Sequence, residues 1–207
     1  QVGGHLPRPC FNPEHKHGFR IDAEATWRMK NLADIKALVS GETAVGTENT
    51  VDVFSQFFHY HHGHMSGTWY EDYGFPEMYR QTFPECIITN RLLHDDRADM
   101  KRQLNFAFMI GHRFDVSIYR GRRNLITDLP DYAAYVKKLT DLREQYHDFF
   151  YHGTFCLSND YVLPKGCHLG EFHWCGKTLF TLWNDTGTPV SLTIANQSID
   201  ISTQDVA

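Results

Sequence analysis

The chain has little of what several classes of function require. Its five cysteines (Cys10, Cys86, Cys156, Cys167 and Cys175) are odd in number and form no Cys-x-x-Cys pair. That leaves a disulfide framework and a structural zinc site without support, and free thiols are expected instead. No apolar run approaches the ~20 residues that span a bilayer, so no membrane association is expected. Basic side chains number 20 against 25 acidic ones, for a formal charge of −5, with no basic stripe. Such a balance does not offset a phosphate backbone, and nucleic acid is not the expected partner. An initiator methionine is also missing. The chain opens at Gln1 and runs straight into Cys10-Phe11-Asn12-Pro13-Glu14-His15, which reads as a fold entered midway.

Against these gaps stand 207 residues with 42% hydrophobic and 14% aromatic content, enough for a packed core. Thirteen histidines cluster in loops rich in aromatics. Aromatic faces stack on the apolar faces of sugars while imidazoles meet hydroxyls, and imidazoles also suit metals. Composition alone does not choose between the two.

The local pattern predicts an amphipathic helix over 22–36, where Ala25, Met29, Leu32 and Ile35 share one face and Asp22 caps it. Ala37-Leu38-Val39-Ser40 then reads as a short buried parallel strand closed by Gly41-Glu42. The tract 57–64, with His59, His61, His62 and His64, reads as a long loop or broken helix. A strand is expected at 86–89, a helix over 96–111 with Met100, Leu104, Ala107 and Phe108 on one side and stopped by Gly111, and a strand at 113–119. The clearest helix runs from Pro130 to about Phe149, with Tyr132, Tyr135, Val136, Leu139, Leu142 and Tyr146 in helical period. Beyond Gly153 short alternating runs separated by Gly, Asn, Asp and Pro predict an antiparallel meander. A boundary near Phe155 is expected, with α/β before it and all-β after it.

Glu42 is the first candidate for chemistry, because a carboxylate directly after an apolar strand stands where (β/α) barrels hold their catalytic groups. Glycoside hydrolysis commonly pairs two such groups; candidates for the second within the chain are Glu48, Asp52, Asp72 and Asp115. The alternative for Glu42 is a capping or salt-bridged side chain. Asn12, His15 and His17 in the opening loop are candidate substrate contacts, against an ordinary Asn-Pro turn. His61 of the histidine tract, and Arg113 with Asp115 on the 113–119 strand, complete the candidate substrate-binding set. The tract 59–64 also allows a divalent metal, although it lacks a His-Glu-x-x-His pattern and a carboxylate at ligand spacing.

Cys-Phe-Asn-Pro with its following His-x-His, Ser40-Gly41-Glu42, Thr82-Phe83-Pro84-Glu85, Gly111-His112-Arg113-Phe114-Asp115 and Thr181-Leu182-Trp183-Asn184 occur in an order that resembles bacterial glycoside-hydrolase-like proteins. In these a TIM barrel akin to α-galactosidases and α-amylases precedes a small β-sandwich. The resemblance implies an α/β fold with the C-terminal half of a barrel over 1–154 and a sandwich over 155–207. It implies Glu42 as the acid/base on a carbohydrate substrate, Asn12 and His15 as loop contacts, and no cofactor. The nucleophilic Asp and the N-terminal half of the barrel would lie upstream of Gln1, so the isolated polypeptide is expected to be inactive. A non-catalytic carbohydrate-binding module and a metal-dependent hydrolase using the 59–64 histidines are the alternatives.

Overall fold

The computed structural model describes residues 12–16, 21–39, 41–48, 52–62, 76–94, 100–117, 125–157, 160–203 and 205–206. Its first half is a four-stranded parallel sheet in the order β1 (Gly46–Glu48), β2 (Tyr60–His62), β3 (Ile87–His94), β4 (Arg113–Ser117). A helix α1 (Ile21–Leu38) precedes it, a 3₁₀ turn (Asp52–Phe57) links β1 to β2, and α2 (Pro76–Thr82) and α3 (Met100–Met109) lie in the later crossovers. Parallel neighbours cannot be joined by a hairpin, so each connection needs such a crossover.

The second half carries α4 (Pro130–Gln145), α5 (His147–His152), a three-stranded antiparallel sheet of β5 (Thr154–Leu157), β6 (Cys167–Trp174) and β7 (Lys177–Asn184), and a separate hairpin of β8 (Val190–Ile194) and β9 (Gln197–Ile201). The fold is thus mixed α/β. The expected half-barrel with a sandwich behind it is not what forms. Among the described residues β1 and β4 each have one neighbour, and four strands are half of what closes a barrel. The antiparallel strands divide into two separate sheets.

Register explains the layering. Phe172 faces Leu179, Gly170 faces Thr181 and His168 faces Trp183, while Leu169 faces Leu182 and Cys167 faces Asn184. Paired residues share a face, and the faces alternate along a strand. Phe172, Leu179 and Trp183 therefore pack with Leu104, Phe108, Leu139 and Phe150 from the helices. Cys167, Leu169 and Leu182 pack with Leu192, Ile194 and Ile201 of the hairpin. The core is continuous across residue 155. The Thr181 hydroxyl donates to Met109 O at 3.0 Å, tying the sheet to the end of α3. Gly170 is required at this crossing, since a Cβ there would lie 2.9 Å from the same carbonyl.

Several local expectations shift. Ala37 and Leu38 close helix α1 instead of forming a strand, and Leu38 is 85% exposed. Both residues favour helix, and among the described residues no strand pairs with them. Of the expected apolar stripe only Leu32 is buried. Tyr60–His62, inside the tract read as loop, is a strand because β1 and β3 pair with it on either side. Gly111 does end α3, with φ 73° just past it. The long helix predicted over 130–149 breaks at Tyr146 into α4 and α5. Among the described residues no helix is long and apolar enough to cross a membrane.

Candidate functional site

Ligands in open parallel sheets collect at the carboxyl ends of the strands. Here Glu48, His62 and Thr89 stand in one row across β1, β2 and β3, and Thr89 aligns with Arg113 on β4. Asp115, two residues further along β4, shares the face of Arg113. His62 reaches across β3 so that its Nε2 lies 3.2 Å from Asp115 Oδ2. Its Nδ1 is 3.0 Å from the Thr89 hydroxyl. That hydroxyl also lies 3.4 Å from His61 O.

The two acceptors available to Thr89 matter chemically. When the Thr89 proton points at His62 Nδ1, the imidazole is neutral and donates from Nε2 to Asp115. When it points at the His61 carbonyl, His62 Nδ1–H donates to Thr89 and the ring is an imidazolium against the carboxylate. Both ring nitrogens of His62 thus meet a protein group, Asp115 at Nε2 and the Thr89 hydroxyl at Nδ1. His62 and Asp115 are 36% and 38% exposed, open to a ligand. Beside them lies a cleft of about 490 Å³ lined by Glu48, Phe58, Tyr60 and His62, with Leu32 and Ile35 of α1 opposite.

The sequence-derived candidates divide. Arg113 and Asp115 belong to this sheet face. His61 points the opposite way, as strand alternation demands: it is fully buried, with Nδ1 3.3 Å from Tyr79 Oη, which in turn hydrogen-bonds Ser55. Burial pushes its pKa down. Glu42 sits exposed in the turn between α1 and β1, off the sheet altogether. Asn12 and His15 occupy an exposed turn in which Asn12 Oδ1 accepts from Glu14 N at 2.9 Å. His17, His64 and Asp72 lie outside the described residues.

The histidines of the 59–64 tract do not converge where they are described. His59 Nδ1 accepts from Val45 N at 2.9 Å, while His61 and His62 face opposite sides of the sheet. A set of side chains close enough to share a metal, His147, Asp148 and His152, lies instead on α5. Sequence reasoning missed His62 and Thr89 as partners of Asp115. No local pattern signals this grouping, since Tyr60-His61-His62 and the run 87–94 do not alternate between apolar and polar residues.

Comparison of the chain with protein-family models, with curated proteins and with solved structures returned no match. The glycoside-hydrolase resemblance therefore draws no support from relatives, and the site stands on its own geometry.

Proposed function

We propose that the cleft at the carboxyl ends of β1 and β2 binds a hydroxyl-rich, carbohydrate-like ligand. The His62–Asp115 pair moves a proton at a ligand oxygen, as in the hydrolysis of a glycosidic bond. The observation that carries this reading is the 3.2 Å contact between a partly exposed imidazole at the end of β2 and a partly exposed carboxylate in the middle of β4. Tyr60 and Phe58 supply aromatic surface for a sugar face, and Glu48 supplies an acceptor for hydroxyls.

The chemistry differs from that expected for Glu42. Glu48 on β1 and Asp115 on β4 are separated by three strand spacings, roughly 14 Å, well beyond the roughly 5–9.5 Å of a glycosidase carboxylate pair. His62, lying between them, donates the proton from Nδ1, where a ligand oxygen takes the place of the Thr89 hydroxyl, with Asp115 at Nε2 stabilising its charged form.

The test uses the whole chain, a panel of oligosaccharides and aryl glycosides, and two readouts: saturable binding by calorimetry and release of reducing ends. Asp115→Asn and His62→Gln are expected to lower turnover by about 10²-fold or more while leaving binding largely intact. Binding by the unaltered chain without turnover, untouched by either substitution, would replace the enzyme with a carbohydrate-binding module. No saturable glycan binding at all would end the carbohydrate reading.

A further inference from the structure

A second cleft, of about 310 Å³, opens where the start of β3, the start of β4 and the turn from α5 into β5 meet. Arg80, Glu85, Arg113, Tyr151 and His152 line it. Its charge is unusual. Arg80 is 5% exposed, and the hydrogen bond its guanidinium makes is from Nη1 to Pro84 O. Arg113 lies flat on the Tyr151 ring at 3.6 Å from its centroid. Behind the cleft Arg143, also 5% exposed, stacks on Phe150, a wall residue, and on Phe114, at 5.4 and 4.3 Å. Its Nε and Nη2 have no hydrogen-bond partner.

Among the described residues no carboxylate is ion-paired with any of the three arginines. Unpaired buried charge is costly, and guanidinium groups do not shed their protons to escape the cost. Burial lowers Arg80 to about 10 and Arg143 to about 9, each pushed further by the neighbouring Arg113. All three therefore remain cations at neutral pH. Among the described residues Glu85 is the one carboxylate lining the cleft. Three guanidiniums against one carboxylate leave an excess of two positive charges. Aromatic stacking holds the guanidinium planes and offsets part of the burial cost, but it does not neutralise charge.

We propose that this cleft is a phosphate-binding site, in which Arg80 and Arg113 grip the phosphate group of a small ligand and Arg143 supplies charge from behind. A dianion balances the excess that a carboxylate would leave half-compensated. Guanidinium forks match phosphate oxygens two at a time, and Arg80, already fixed at Nη1, keeps its remaining N–H groups for that purpose. The volume admits a phosphate bearing a small organic group. The cleft shares β4 with the His62–Asp115 pair, but neither member of that pair lines it, so the two readings are tested separately.

The probe is inorganic phosphate, titrated into the whole chain by calorimetry at fixed ionic strength, with sulfate and acetate as parallel arms. Saturable phosphate binding in the millimolar range or tighter is expected, with sulfate weaker and acetate weakest. Arg113→Gln should weaken phosphate by about tenfold or more, Arg113→Lys by less, and Glu85→Gln should tighten it several-fold. Glu85 is exposed, so its substitution reports even where an arginine variant does not fold. Acetate binding as tightly as phosphate, or phosphate affinity unmoved by Glu85→Gln and Arg113→Gln, would overturn the assignment.

Discussion

Asn184→Ala should be among the most damaging single changes in this chain, although the residue touches neither cleft. Asn184 is fully buried at the end of β7. Its Nδ2 donates to the carbonyls of Thr188 at 2.9 Å, Ile201 at 3.2 Å and Ser202 at 3.3 Å. Its Oδ1 accepts from Thr186 N at 2.9 Å and the Thr186 hydroxyl at 2.6 Å. One amide thus closes the turn after β7 and fastens it to the end of β9. Truncation leaves the buried Ile201 carbonyl without this donor, at about 1–3 kcal/mol, while the more accessible partners regain water and lose about 0.5 kcal/mol each. The total is roughly 3–5 kcal/mol, equivalent to a Tm lower by roughly 6–20 °C for a chain of this size. Urea unfolding followed by tryptophan fluorescence is the direct assay, because the adjacent Trp183 is buried. Asn184→Asp should do no better, since it turns a carboxylate oxygen toward three carbonyls. Thr186→Val, which removes one hydroxyl, should cost only about 1 kcal/mol. An Asn184→Ala protein within about 1 kcal/mol of the parent would refute the idea that this motif is a structural hub.

Three further outcomes follow from the same contacts. Burial holds His61 and His168 below the usual histidine range, so the unfolded chain binds protons first. Stability should be complete above about pH 6.5 and fall below it, by at most about 1.4 kcal/mol per pH unit for each site; urea midpoints that rise from pH 7 to pH 5.5 would contradict this. Gly170→Ala should destabilise by about 1–3 kcal/mol, because the new methyl meets Met109 O at 2.9 Å and Thr181 Oγ1 at 2.8 Å; an unchanged melting temperature would show that α3 moves aside. Arg143→Met should leave stability equal or higher, since an unpaired buried cation is exchanged for an apolar chain of similar length; a loss above about 2 kcal/mol would mean that its aromatic contacts outweigh the burial cost.

Where neighbours in sequence are also neighbours in space, the residues were enough. The helical period at Leu104, Ala107 and Phe108 marked a buried face, and those three side chains are buried. Gly111 marked the stop of its helix. The alternation after Gly153 marked antiparallel strands. The 37–40 segment failed because a short apolar run fits a strand end or a helix end equally, and only a pairing partner separates the two. Glu42 lost its place with that strand.

The clustered polar groups belong to a different order of information. Nothing in the spacing of His62, Thr89 and Asp115 along the chain sets them side by side; three parallel strands joined by crossovers do. The same holds for Arg80, Arg113 and Arg143, which come from two helices and a strand. Periodicity is a property of a few consecutive residues, so local pattern marked the helix over 100–109, most of the long helix and the antiparallel strands after Gly153, while α2, β2 and the break at Tyr146 escaped it. Which strand lies beside which depends on long-range burial and backbone hydrogen bonding, and those contacts alone decided that an imidazole meets a carboxylate and that three cations share one wall.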